Sequence, residues 1–341
     1  MNTFKKYIYH PLKNIIAKYY LILLRKYSDI QIIGITGSAG KTSVKEMLAS
    51  ILKLDGPTIW SKANIDPVFN IASTILRCTF KTKYLVLELG VEHIGEMDFY
   101  LKLVTPDLGI ITNIFPTHTL FFKNIEGVLL EKSKLVRATK LAVLNSNDTL
   151  LKSLGKNLKS KVFWFKGDSD PNVQNSNTVI KAAKVLGISD DKIRTGLGNY
   201  INPVHRFNIF QHKSGAIIFD DSYNSNPNAV ITTLKVFDKK YKRKMKIAVL
   251  GDMLELGDLG ESEHIRIGNE LKKYRFSVVI GVGELSKFIL KTLDDKSVQK
   301  YHVLDQSEVD GILYKHLNKN SAVLIKGSRS IGLDKLVDRL V

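Results

Sequence analysis

The sequence predicts an α/β protein made of two domains, each built on a parallel sheet. Three observations predict it. Short apolar runs rich in Ile and Val, at Ile30 to Thr36, Tyr84 to Leu89, Leu108 to Thr112, Leu141 to Leu144 and Val162 to Phe165, alternate with helical patterns such as Ser43 to Leu54 and Glu126 to Arg137. Strands apolar along their whole length are buried on both faces, the mark of a parallel sheet covered by helices. A second series follows at Ala216 to Phe219, Lys246 to Leu250, Ser277 to Ile280 and Ala322 to Ile325. Finally, 341 residues exceed what one domain usually holds.

Each segment has its own signal. Residues 1–28 interleave Lys5, Lys6, Lys13, Lys18, Arg25 and Lys26 with Ile8, Leu12, Ile15, Ile16, Tyr19, Leu23 and Leu24. Much of that apolar set falls at three- and four-residue steps, so it reads as an amphipathic basic helix after Pro11. Such a helix either docks on the protein body or rests on an anionic membrane surface. The first domain then occupies 29–202, with a helical stretch at Thr178 to Leu197 and a loop-like Gly167 to Asn177 near its end. Tyr200 to His205, with Asn202 and Pro203, reads as the linker, and the second domain occupies 203–341.

Composition narrows the function classes. With 44% hydrophobic and 25% charged residues, the chain is globular, neither disordered nor fibrous. The single cysteine, Cys78, cannot form an internal disulfide or a Cys-rich zinc site and reads as a buried helical thiol, which suits a reducing cytoplasm. The apolar stretch Tyr19 to Leu24, bounded by Lys18 and Arg25, is far short of the roughly 20 residues a membrane span needs. No small-residue cleavage site follows it, so neither a signal peptide nor a crossing anchor is expected. A net charge of +18 calls for anionic partners. Lysines recur along the whole chain, as at Lys239, Lys240, Lys242, Arg243 and Lys244, rather than gathering with aromatics on one face, so a solvated basic surface is expected and nucleic acid is not.

The sharpest motif is IIGITGSAGKTS, from Ile32 to Ser43. An apolar strand runs into a glycine-rich turn, and Lys41, Thr42 and Ser43 open a helix. Phosphate binding needs this arrangement: glycines let backbone N–H groups approach the oxygens, and the helix N-terminus adds positive partial charge. A lysine offsets the β/γ charge, and a hydroxyl reaches Mg²⁺. The general P-loop pattern asks for Gly at position 35, which is Ile, so the cradle is the shorter Gly37, Ser38, Ala39, Gly40, Lys41, Thr42. Its metal needs a carboxylate, and Glu88 stands at the end of the strand YLVLELG, where ligands bind in open sheets. Glu92 and Glu96 read as solvated loop acids. The next strand ends in Thr112 and Asn113, followed by Pro116, Thr117 and His118; Lys132 lies in EKSK on a helix whose opposite face is apolar. Taken singly, His118 reads as structural and Lys132 as a surface lysine.

The order of the pieces changes those readings. TGSAGKTS, ELGVEHIGEM, TPDLGIITNIFPTHTL, LLEKSKLV, VHRF, DDSYNSNP, LGDMLELG with His264, and KGSRS together resemble the Mur ligase family over roughly residues 30 to 341. The resemblance implies a central P-loop ATPase-like parallel-sheet domain followed by a Rossmann-like α/β domain. It also implies an ATP-dependent amide ligase working through an acyl phosphate. Within the family the match is to members joining D-Ala-D-Ala to a UDP-muramoyl tripeptide in peptidoglycan precursor synthesis. A ligase for another carboxylate, similar to poly-γ-glutamate synthases, and a catalytically silent nucleotide-binding subunit are the alternatives.

The same resemblance implies residue roles. Lys41 matches the lysine on the β/γ-phosphates, Thr42 and Glu88 the holders of one Mg²⁺, and His118 the histidine at a second. Lys132 matches the family lysine that is carbamylated by CO₂, and Asn113 the asparagine at the nucleotide. In the second domain Arg206 matches the arginine reaching ATP phosphate and Asp221 the acid near its ribose, with Asn224 and Asn226 beside the nucleotide. Lys326 and Arg329 match acceptor-side elements. Members that use the UDP-sugar carry a further N-terminal domain, and only about 29 residues precede the first strand here, too few to build one.

Overall fold

The computed structural model describes residues 10–62, 67–116 and 119–341. They form two compact units, 1–201 and 202–341. In the first unit the elements are α1 (His10–Tyr27), β1 (Gln31–Thr36), α2 (Lys41–Leu52), β2 (Thr58–Trp60), α3 (Pro67–Ile75), β3 (Tyr84–Glu88), α4 (Glu96–Leu103), β4 (Leu108–Ile111), α5 (Thr119–Phe122), α6 (Ile125–Ala138), β5 (Leu141–Asn145), α7 (Thr149–Lys156), β6 (Lys161–Phe165), α8 (Pro171–Val185) and α9 (Asp190–Gly198). Its sheet is parallel throughout, in the order β2-β3-β1-β4-β5-β6.

Residue alternation along β1 divides the core into two layers. Ile32 packs toward the side covered by α1, α3, α4 and α6, whereas Ile33 and Ile35 pack toward α2, α8 and α9. Because β1 has β3 on one side and β4 on the other, the chain leaves it in opposite directions, and the turns after all three strands open at one edge of the sheet. That crevice is where ligands bind in such sheets. Segment 1–28 shows docking for the part described. Ala17, Leu21 and Leu24 are buried against the body, Tyr20 donates to the Cys78 carbonyl at 2.8 Å, and Arg25 pairs with Asp107 at 3.1 Å. Cys78 is buried but lies past the end of α3, not in a helix as expected, and burial pushes its thiol pKa up to about 12.

The second unit carries β7 (Asn208–Gln211), β8 (Ile217–Asp220), α10 (Pro227–Lys240), β9 (Met245–Gly251), α11 (Gly260–Leu271), β10 (Phe276–Val282), α12 (Ser286–Lys291), β11 (Gln299–Val303), α13 (Val309–Leu313), β12 (Ser321–Lys326) and α14 (Leu333–Leu340). Its sheet runs β11-β10-β9-β12-β8-β7 and is not wholly parallel, since β7 pairs antiparallel with β8 at one edge. The expected helix over Thr178 to Leu197 is two helices, α8 and α9, separated by Leu186 to Ser189. The stretch expected to be a loop already contains the start of α8, because the Asp170 side chain accepts the Asn172 N–H at 2.8 Å and Pro171 takes the first helical position.

Gly34 sits mid-β1, where an added Cβ would lie 2.8 Å from Pro106 Cγ and 3.0 Å from Leu135 Cδ1. Gly34→Ala should therefore lower stability by about 1–3 kcal/mol through overpacking. Urea unfolding checks this, and an unchanged midpoint would mean that the sheet and its helices are spaced more loosely than the structure has them.

Candidate active site

The glycine turn after β1 has a conformation that its sequence dictates. Gly37 and Gly40 have φ of 146° and 81°, in the region open to glycine. A Cβ on Gly37 would fall 2.0 Å from Thr112 Oγ1, and one on Gly40 would fall 2.5 Å from Asn175 Oδ1. The segment after β4 clamps the turn. The Ser38 N–H donates to the Asn113 carbonyl (3.1 Å) and the Ala39 N–H to Asn113 Oδ1 (2.9 Å); the Thr112 hydroxyl donates to the Ala39 carbonyl (2.6 Å) and that of Ser38 to the Phe115 carbonyl (2.8 Å). Helix α2 then starts at Lys41 with no side-chain cap and no acid of its own in its first turn, which leaves its first N–H groups and positive end for an anion. The Lys41 ammonium folds back onto the Gly37 carbonyl at 3.0 Å, and Ser43 is half-buried one residue into the helix beyond Thr42.

At the second residue of α2, Thr42 Oγ1 donates to Glu88 Oε1 at 2.9 Å. A hydroxyl and one carboxylate oxygen are hard donors of the kind Mg²⁺ takes when waters and phosphate oxygens complete its shell. Among the described residues there is no group of three or more His, Cys, Asp or Glu that could hold a metal ion; the Thr42 and Glu88 pair fits magnesium by the chemistry of its donors. The other Glu88 oxygen faces the fully buried Lys45 ammonium at 3.5 Å, and Glu46 lies 3.0 Å from the same ammonium.

Lys132 is not a surface lysine. It lies on α6 at 1% exposure, beside the Phe122 ring. Burial, and after it the Lys41 charge, hold its pKa well below the usual lysine value, opposed by Glu131, Glu92 and Glu96. Those two loop acids thus act on the site electrostatically. Glu96 also accepts the Glu92 and His93 N–H groups (2.7 and 3.1 Å), which shapes the loop after β3. The buried Glu131 is held by the Met97 N–H at 2.8 Å and by Lys134 at 2.6 Å. His118 lies outside the described residues.

In the second unit, DDSYNSNP is a braced turn. Lys326, at 2% exposure, directs its ammonium to Asp221 Oδ2 (2.6 Å), the Asn224 carbonyl (3.1 Å) and the Asp221 carbonyl (3.4 Å). The expectation that Lys326 meets an anionic acceptor is corrected accordingly: the ammonium is buried and already paired. Asp221 also accepts the Thr233 hydroxyl at 2.8 Å, Asn224 accepts the Ser225 N–H, and Asn226 caps α10. The half-buried Tyr223 of the turn has the Arg206 guanidinium 3.9 Å and the Arg329 guanidinium 5.4 Å from its ring centre. Arg206 stands between two residues with left-handed backbone, His205 (φ 63°) and Phe207 (φ 52°), local strain of the kind that concentrates at functional sites. His205 is fixed by Asp220 at 2.9 Å. His264 is a core histidine: Nδ1 donates to the Gly260 carbonyl (2.6 Å), Nε2 accepts the Met253 N–H (3.0 Å), and burial lowers its pKa.

The same assembly of parts is found in known proteins. The Mur ligase middle domain matches residues 35–192, and the glutamate ligase domain of Mur ligases matches residues 205–329. The chain belongs to the Mur ligase family. The UDP-N-acetylmuramoyl-tripeptide–D-alanyl-D-alanine ligase of Buchnera aphidicola subsp. Baizongia pistaciae is 29% identical over 93% of this chain and 77% of its own length. That of Bacillus subtilis is 26% identical over 91% of this chain and 76% of its own. Among solved structures, MurF from Acinetobacter baumannii superposes with a TM-score of 0.84 at 24% identity, covering 97% of this chain and 80% of that one. MurF from Thermotoga maritima in complex with ADP gives 0.83 at 21% identity, covering 97% and 83%. These two structures establish the fold.

Three residues that stand beside the expected site residues had not been singled out: Lys45 next to Glu88, Asn175 against Gly40, and Tyr223 between the Arg206 and Arg329 guanidinium groups. Lys45 carried a signal in its spacing, since it follows Thr42 by one helical turn and so faces the same way; Asn175 carried none.

The Lys132 pKa gives a test with a definite sign. A lysine whose folded value is lowered leaves the unfolded chain binding more protons, so it costs stability at neutral pH, and the cost shrinks as pH rises toward the unfolded value near 10.4. In CO₂-free buffer, Lys132→Met should be more stable than wild type at neutral pH by about 1–4 kcal/mol. The gap should narrow as the pH approaches 10. Thermal melts across that range check it, and a less stable Lys132→Met at neutral pH would show that the ammonium is well paired.

Proposed function

We propose that this chain is an ATP-dependent amide ligase joining D-Ala-D-Ala to a UDP-muramoyl tripeptide, the reaction for which its curated relatives are named. The observation that carries the reading is the Thr42 to Glu88 contact at the mouth of the clamped glycine turn, set against a buried lysine that shares its electrostatic environment with Lys41. Backbone N–H groups at the start of α2 and the Lys41 ammonium hold the polyphosphate, since they are preorganised and need not reorient when charge develops. Thr42 and Glu88 would hold magnesium, which supplies neutralisation of phosphate charge. Asn113 acts on the nucleotide site by fixing the Ala39 N–H.

In the reaction a carboxylate oxygen of the donor takes the γ-phosphoryl group and ADP leaves. The amine of the acceptor then attacks the acyl carbon, phosphate departs with that oxygen, and the amine loses a proton. Lys132 is proposed to work as a carbamate. Its buried, low-pKa amine is the neutral nucleophile that addition to CO₂ requires: the amine nitrogen bonds the CO₂ carbon, one N–H proton is released, and a neutral amine beside Lys41 becomes an anion that suits a metal site. His118 would stand at the second magnesium by the family match. In the second unit, Arg206 and Arg329 flank Tyr223 as two guanidinium groups suited to phosphate and carboxylate. Arg329 is half-exposed and anchored by Asp334 at 2.8 Å.

A phosphate-release assay with ATP and Mg²⁺, crossing D-Ala-D-Ala against UDP-muramoyl tripeptide and glutamate-type donors, tests the assignment. Release should require both the tripeptide and the dipeptide, and Lys41→Ala should lower turnover by at least about two orders of magnitude with the fold intact. Release driven by a glutamate donor alone would move the chain to another substrate class. Lys132→Ala should be nearly inactive and partly restored by a short carboxylic acid in the vacated space. Full activity of that variant without rescue would remove the carbamate from the account.

A further inference from the structure

Helix α1 docks through Ala17, Leu21 and Leu24, yet its opposite side is also apolar. Leu12, Ile15, Ile16, Tyr19, Ile22 and Leu23 are each 47–65% exposed and fall at helical spacing on one stripe. Tyr27 continues the stripe, and its ring meets the half-exposed Phe80 at 6.4 Å. A contiguous exposed patch of this kind on an otherwise ordinary surface marks an interaction site.

The surrounding charge says what covers it. The helix HPLKNIIAKYYLILLRKY contains no Asp or Glu, while Lys18 borders the stripe and Lys26 stands at its C-terminal end. Along one flank runs a groove of about 340 Å³ between α1 and the end of α4, lined by Lys18, Arg25, Lys102 and Lys140. The one acid in its lining, Asp107, is neutralised by Arg25. Pairing with a second copy of the same face would set these cations against their equals on a chain of net charge +18. Among the described residues no helix is long and apolar enough to cross a membrane. What remains is the composition of an interfacial helix: an apolar stripe with tyrosines, whose rings are apolar and tips polar, rimmed by lysines that reach headgroups.

We propose that this face seats the protein on an anionic bilayer surface, with the stripe of α1 in the headgroup region and lipid phosphates against Lys18, Lys102 and Lys140. The proposal is independent of the ligase assignment, because none of these residues belongs to the active site.

Co-sedimentation of the full chain with vesicles of mixed phosphatidylglycerol and phosphatidylcholine, and with phosphatidylcholine alone, tests it. The chain should bind the mixed vesicles, release with rising salt, and ignore the neutral ones. Ile15→Ser with Ile22→Ser should weaken binding at least about tenfold. Lys18→Glu with Lys140→Glu should do the same, with unchanged thermal melts and ligase turnover. Equal binding to both vesicle types, no binding to either, or full binding by the serine variant would overturn the proposal. So would a dimer in sedimentation velocity that the serine variant dissolves, which would assign the face to a second copy.

Discussion

The clamp between the turn after β1 and the segment after β4 is the constraint on which the active site depends. A glycine turn by itself has many conformations, and its N–H groups would point in many directions. Here the Asn113 main chain and side chain, the Thr112 hydroxyl and the Ser38 hydroxyl fix the turn. The clamp is possible only because β1 and β4 are neighbours in register, with Thr36 beside Ile111. The same adjacency on the other side, Ile35 beside Glu88, delivers the carboxylate to Thr42. Sheet order thus places residues from distant parts of the chain within hydrogen-bond distance, and the electrostatics of the site follow from that placement. Burial first, and then the nearby Lys41 charge, disfavour the Lys132 ammonium, which makes this lysine chemically unusual.

The second unit works by a related device with different chemistry. A buried lysine, Lys326, braces the turn after β8 from the neighbouring strand β12, and the turn then holds Tyr223 between two arginines. Residues that look like ligand-binding candidates in the sequence divide into those that build the turn, Asp221, Asn224, Asn226 and Lys326, and those that stand beside it. Residue type alone does not separate the two groups; hydrogen bonding does, and the buried Lys326 to Asp221 pair at its centre is set by a strand pairing that joins residues far apart in the sequence.

This explains what was legible in the sequence. The central strands of both sheets are continuous apolar runs and were readable, as were the glycine turn and the carboxylate at the end of β3. Missed strands lie at or near sheet edges: β2 has three residues, β7 alternates half-buried with exposed, and β11 is mostly polar, so none carries the apolar run of a central strand. The break between α8 and α9 and the early start of α8 turned on local capping, which overrides periodicity. Lys132 could not be told from a surface lysine by pattern, because its helix is amphipathic on average while this residue sits on the buried side; only the family resemblance distinguished it. Lys326 misled for the opposite reason, since its partner Asp221 lies far away in the chain and its pairing is invisible without the sheet order.

The proposed chemistry transfers phosphoryl to a carboxylate oxygen before the amide bond forms. Isotope transfer tests it most directly: the muramoyl tripeptide donor is labelled with ¹⁸O in its reacting carboxylate and turned over with ATP and D-Ala-D-Ala. The phosphate released should carry one labelled oxygen per amide bond formed, with ADP as the nucleotide product. Unlabelled phosphate, or AMP with pyrophosphate in place of ADP, would contradict the account.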